Sequence, residues 1–172
     1  LDKLNVESCL YILGGAKPEE NILLMQKGNV LSCGIFGHLC LIVKGHELGA
    51  QNKFLEKELK IVPELKKKIE EIESGKFSMK KGEYTREIFH IDAPLDLAVK
   101  DRGKRKELGL EEFPSEFEVF DIGEKTIKNY EHEIMNAQAI FMKGTAGSCE
   151  EKQFSKGTER ILRAIIKSKA FS

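Results

Sequence analysis

Lys17 follows two glycines, Gly14 and Gly15, directly behind the apolar run Cys9-Leu10-Tyr11-Ile12-Leu13. Pro18 and the acids Glu19 and Glu20 come next, as suits the first turn of a helix. Strand, glycine turn and helix start form a geometry in which backbone N–H groups and a cation can face a phosphate. The same stretch also fits an ordinary strand-to-helix turn. A second small-residue loop, Lys143-Gly144-Thr145-Ala146-Gly147-Ser148, lies directly behind another apolar run, Ala139-Ile140-Phe141-Met142. Open α/β sheets bind ligands beyond the carboxyl ends of their strands, so several such loops point to one shared crevice.

Other reactive side chains make weaker constellations. Asp92 and Asp96 could do acid/base work, but Pro94 between them reads as a strand end and loop. His38 has no partner at metal-ligand spacing and reads as a packed or solvated histidine; no metal ligand set is expected. The four cysteines, Cys9, Cys33, Cys40 and Cys149, form no C-x-x-C pair, and three lie in or beside apolar runs. They read as reduced thiols of a cytosolic protein rather than zinc ligands or a disulfide frame. The 28 basic and 28 acidic residues cancel, which gives no general electrostatic drive toward nucleic acid or membrane. No signal peptide and no apolar run of membrane-spanning length is present in the sequence.

The elements that must position these residues alternate. With 172 residues the chain is long enough for one domain with a real core. Charged residues are 33% of it, above the usual ~25%, so the surface is heavily ionised. The strand Cys9–Leu13 leads to a helix reaching about Lys27, with Ile22, Leu23 and Met25 inward. Residues 30–34 read as a short strand and residues 35–47 as a helix. Residues 53–75 read as charged and helical, with a narrow apolar stripe of Leu65, Ile69 and Ile72. Residues 76–83 read as an exposed connector. Residues 88–99 read as strand, turn and extended chain, and 100–112 as a polar surface excursion. Residues 117–123 are the next strand and turn. A helix over 124–136 follows, burying Ile127, Tyr130 and Ile134. The strand at 139–142 precedes a long helix over 151–169, with Phe154, Thr158, Ile161, Leu162, Ile165 and Ile166 on one side. Ala170–Ser172 reads as the start of a further strand. Short apolar strands alternating with helices predict an α/β domain, Rossmann-like, with three α/β/α layers around a mainly parallel sheet.

The chain resembles the C-terminal, nucleotide-binding half of phosphoglycerate kinase, from about Cys9 to Ser172. The anchors are Leu13-Gly14-Gly15-Ala16-Lys17; Cys33-Gly34 with Lys44-Gly45-His46-Glu47-Leu48-Gly49; Pro94-Leu95-Asp96; and Phe120-Asp121-Ile122-Gly123-Glu124-Lys125-Thr126. They close with Lys143-Gly144-Thr145-Ala146-Gly147, Glu150, and Phe154-Ser155-Lys156-Gly157-Thr158. The segment at 35–49 looks more like archaeal members. The resemblance implies phosphoryl transfer between 1,3-bisphosphoglycerate and ADP, with Mg2+, in glycolysis and in the cytoplasm. It implies that residues 1–172 are the nucleotide domain, without the N-terminal half that holds phosphoglycerate and without the final glycine-rich loop. The fragment alone is then not expected to turn over. By the same resemblance Lys17 is the catalytic lysine at the nucleotide phosphates and the transferring group. Gly14, Gly15, Gly34, Gly144 and Gly147 admit the nucleotide, Phe120 lies near the base, and Glu150 takes the ribose hydroxyls.

The chain departs from the family pattern in places. Lys143-Gly144-Thr145 stands where Asn-Gly-Pro is usual, and Cys33-Gly34 where two glycines are common. Asn21 stands where many members carry a second lysine. A cation at 143 could bind phosphate or block the usual nucleotide pose. The alternative to a working kinase is therefore a kinase-derived module that binds nucleotide or a partner without catalysis.

Overall fold

In the computed structural model, residues 9–25, 28–80 and 83–172 are described. In chain order the elements are β1 (Cys9–Leu13), α1 (Pro18–Leu24), β2 (Val30–Ser32), α2 (Gly34–Val43), α3 (Ala50–Phe54), α4 (Val62–Glu73), β3 (Lys76–Lys80), β4 (Glu83–Glu87) and β5 (Ile91–Asp92). Then come β6 (Asp96–Asp101), β7 (Lys104–Gly109), β8 (Val119–Ile122), α5 (Glu124–Asn136), β9 (Ala139–Lys143) and α6 (Lys156–Lys167).

The central sheet is parallel, in the order β5-β2-β1-β9. Its strands are apolar because both faces are covered. On β1, Tyr11 and Leu13 pack with Ile22 of α1, Phe36 and Leu39 of α2, and Leu65 and Ile69 of α4. Leu10 and Ile12 point the other way, into Ile127, Tyr130 and Ile134 of α5 and Ile161 of α6. Ile12 and Leu13 are fully buried; each such side chain contributes about 1.5–3 kcal/mol relative to exposure. Tyr130 ties α5 to the sheet, its hydroxyl donating to the Ser32 carbonyl at 2.6 Å. The result is the expected three-layer α/β/α domain. Phe171 extends it, bridging in parallel to Ala139 at the edge of β9.

A second, antiparallel sheet in the order β7-β6-β8 is where the sequence reading needs correction. Residues 104–109, expected as part of a surface excursion, form β7 and pair with β6 along its length. The turn is Arg102-Gly103, with φ of 49° and 80°. Two positive φ values in a two-residue hairpin match the right-handed twist of the strands. The alternation of β7 is hard to read because its inward residues are charged: Arg105 and Glu107 pair with each other at 3.1 Å. β8 lies outside the parallel sheet; it pairs antiparallel with β6, Leu97 opposite Ile122. Leu97, Val99, Leu108 and Val119 form a separate core with Leu41 and Leu48. Helix α2 is thus buried on two sides, which explains its nearly continuous apolar sequence.

Other boundaries shift. The expected connector at 76–83 holds a strand of the β3–β4 hairpin, with residues 81 and 82 outside the described residues. The charged helix over 53–75 is α3 and α4 with a 3-10 turn, Glu58–Ile61, before α4; Leu65, Ile69 and Ile72 are buried as expected. α1 stops at Leu24, and Leu23, expected inward, is exposed; residues 26 and 27 lie outside the described residues. The long C-terminal helix is a 3-10 turn, Lys152–Phe154, followed by α6. Leu162 and Ile166, expected on its buried face, are exposed; Ala164 takes the inward position.

Candidate ligand site

The loops behind β1, β2 and β9 meet at the carboxyl end of the sheet, and together with β8 and α3 they enclose a cleft of about 450 Å³. One wall is made of main chain. Gly14 N–H donates to the Lys143 carbonyl at 2.8 Å, Gly15 N–H to Thr145 at 2.9 Å, and Gly34 N–H to Ala146 at 3.1 Å. These amides, of which the sequence offered those of the Gly14-Gly15 turn as phosphate donors, are spent holding the loops together. The loops interlock so closely that a Cβ on Gly144 would stand 2.5 Å from the Gly14 carbonyl carbon, and Gly144 has φ of 77°. Glycine is needed here for loop-to-loop contact as well as for conformation.

The opposite wall is made of side chains. Val119 and Phe120 come from β8, Phe54 and Gln51 from α3, and Ile35 and His38 from α2. Phe120 stacks on Phe154, ring centroids 4.9 Å apart, with Lys100 Nζ 5.7 Å from the Phe120 centroid. Lys100 also donates to Glu151 at 2.6 Å, which holds that carboxyl below its ordinary pKa. Behind this wall Asp121 is fully buried. It accepts from Arg105 Nη1 and from Gly157 N–H, both at 2.8 Å, and burial still pushes its pKa upward. Arg105 also donates to the carbonyls of Ile122 and Gln153.

Of the residues singled out from sequence, Gly15, Gly34, Phe120, Gly147 and Glu150 line the cleft. Glu150 makes no hydrogen bond or ion pair among the described residues, so its carboxylate is available to a ligand. Gly14 and Gly144 lie behind the lining, in the loop interlock. Lys17 stands next to the cleft-lining Ala16, with a 77% exposed side chain 3.9 Å from Glu20. Lys143 reaches the same acid at 2.9 Å and holds its pKa below the ordinary carboxylate value. Lys143 Nζ also donates to Asn21 Oδ1 at 3.1 Å, while Asn21 Nδ2 donates to the Gly14 carbonyl. The two departures at 21 and 143 are therefore in contact, and both cations share Glu20.

The remaining candidates are structural. The Asp96 carboxylate accepts from the N–H groups of Lys125 and Thr126 and from the Thr126 hydroxyl, at 2.6–2.9 Å, which caps the start of α5. Burial pushes the Cys33 and Cys40 thiols up to about 12, which keeps them protonated; Cys149 is exposed at the cleft. Among the described residues no group of three His, Cys, Asp or Glu side chains could hold a metal, and no helix is long and apolar enough to cross a membrane.

Sequence reasoning missed Gln51 and Phe54 and left His38 as a packed or solvated histidine. Helical spacing carried the signal: Gln51 and Phe54 are three apart, and His38 is one turn beyond Gly34. The missing link was that the helix containing Gln51 and Phe54 begins at Ala50 and abuts β8.

The profile of the phosphoglycerate kinase family matches residues 3–172. A phosphoglycerate kinase from Methanothermus fervidus is 35% identical over 98% of the chain, and one from Pyrococcus furiosus 32% over 95%. The chain spans about 40% of the length of each of these relatives. The crystal structure of phosphoglycerate kinase from Pyrococcus horikoshii OT3 superposes with a TM-score of 0.81 at 28% identity, covering 99% of this chain and 42% of that one. The Coxiella burnetii phosphoglycerate kinase structure, at 21% identity and a TM-score of 0.70 over 95% of this chain and 40% of that one, shares the fold.

Proposed function

Because the chain belongs to the phosphoglycerate kinase family, we propose that it is the nucleotide-binding domain of a kinase moving a phosphoryl group between 1,3-bisphosphoglycerate and ADP. The products are 3-phosphoglycerate and ATP, a step of glycolysis in the cytoplasm. Phosphoglycerate is brought by a part of the protein outside these residues. The observation that carries the reading is the cleft itself: beyond the carboxyl ends of the parallel strands it gathers Gly15, Gly34, Gly147 and an unpaired Glu150 against Phe120 of β8.

In this reading the base enters between Phe120 and Phe54, aromatic and apolar surfaces that suit a purine face. Glu150 accepts both ribose hydroxyls, a task for a carboxylate with two oxygens. The phosphates then lie toward Ala16 and the glycine loops. Lys17 reaches them readily, because an exposed pair at 3.9 Å holds it only weakly to Glu20. Its charge offsets the negative charge on the phosphoryl oxygens, which phosphoryl transfer needs more than covalent help. Lys143, on the same acid, adds a second positive charge at that end. The described residues form no cage for Mg2+, so the ion arrives on the nucleotide phosphates, as is usual for this metal.

Calorimetric titration with MgADP and MgATP, beside Lys17→Ala and Glu150→Ala variants, tests the reading. Binding that weakens in both variants is expected. An unmodified chain that binds neither nucleotide, alone or within its full-length protein, overturns it.

A further inference from the structure

A buried side chain lining the cleft has an unused hydrogen-bond donor. His38 is 4% exposed and Gln51 1%, yet both line the cleft. Val119 N–H donates to Gln51 Oε1 at 2.8 Å. A backbone N–H can only donate, so this bond settles which end of the amide is oxygen. Gln51 Nε2 then lies 3.2 Å from His38 Nδ1. An amide NH2 can only donate, so Nδ1 accepts and the ring proton sits on Nε2. A protonated ring would set two donors face to face. Burial agrees, pulling the His38 pKa down to about 4. Nε2 has no partner among the described residues, and none of their buried side-chain nitrogens is left without one. Nε2–H therefore opens onto the cleft.

Resting on the nucleotide reading above, we propose that His38, locked in one tautomer by Gln51, recognises the nucleobase by donating Nε2–H to a lone-pair ring nitrogen of a purine. The aromatic side chains supply affinity for any base. A buried, fixed donor supplies selection, because a base that turns an N–H or C–H toward it leaves it unpaired. The main-chain wall cannot select this way, since its amides at Gly14, Gly15 and Gly34 are occupied.

The test is calorimetry with ADP and its 1-deaza, 3-deaza and 7-deaza analogues on the unmodified chain and on His38→Phe. One analogue should bind about tenfold more weakly than ADP to the unmodified chain. That difference should vanish in His38→Phe. The ring nitrogens of His38, read by 15N NMR in the unmodified chain, give a result independent of the variant's folding. They should show the proton on Nε2, and the Nε2 signal should move with ADP but not with the weakened analogue. Equal binding of all four ligands, or a ring proton on Nδ1, overturns the proposal and leaves nucleotide binding intact. Failure of ADP itself to bind overturns both.

Discussion

The two walls of the cleft are built from different materials. One is a pair of interlocked loops, Gly14-Gly15 against Gly144-Thr145, joined by main-chain hydrogen bonds at 2.8 and 2.9 Å. The other is an array of side chains on α2, α3 and β8, braced from behind by Arg105 and Asp121. A main-chain wall fixes shape and tolerates almost no added atoms. A side-chain wall can be rewritten residue by residue, so it is where preference for one ligand over another resides.

The contrast is sharpest under substitution. Gly144→Ala combines a Cβ 2.5 Å from main-chain carbon with a left-handed φ. It should cost about 2–4 kcal/mol in chemical denaturation, and nucleotide affinity should fall with it, because the loops must separate. On the other wall, Arg105→Ala strips a cation from the buried Asp121 carboxylate. The expected loss is about 3 kcal/mol, reduced to the extent that the Gly157 N–H bond persists. A Gly144→Ala variant as stable as the parent would break the distinction between the walls.

Acid should act through the side-chain wall. The folded pKa of His38, about 4, lies below its ordinary value of 6.5, so the unfolded chain binds the proton first as pH falls. The stability from keeping this ring neutral is complete above pH 6.5 and is lost between there and pH 4. The total is of the order of 3 kcal/mol. His38→Phe should flatten that part of the stability curve; an unchanged slope would count against a neutral His38. The smallest effect belongs to Glu150→Ala. It should leave the melting temperature within about 1 °C, since the carboxylate is unpaired, while weakening ADP about tenfold.

Much of this organisation was legible in the sequence. The parallel core showed because β1 and β9 are short and continuously apolar, and the glycine loops showed because nothing else ends those strands. The antiparallel sheet did not show. Arg105 and Glu107 hide the inward face of β7 behind charges whose partners include Asp121 and Lys156, distant in sequence. The resemblance supplied Phe120 and Glu150. Gln51 and Phe54 required knowing that α3 abuts β8, a contact that local pattern does not encode. The glycine amides were a different matter. Their spacing allows a phosphate nest, but the partner loop, more than a hundred residues later, takes the donors first.

Amide chemical-shift mapping of the chain with MgADP tests the central claim most directly. The account predicts shifts concentrated at Gly15, Gly34, Phe120, Gly147 and Glu150, reaching Gln51 on α3 and leaving the α5–α6 face unchanged. Shifts centred on α5 and α6, with the cleft silent, would contradict it.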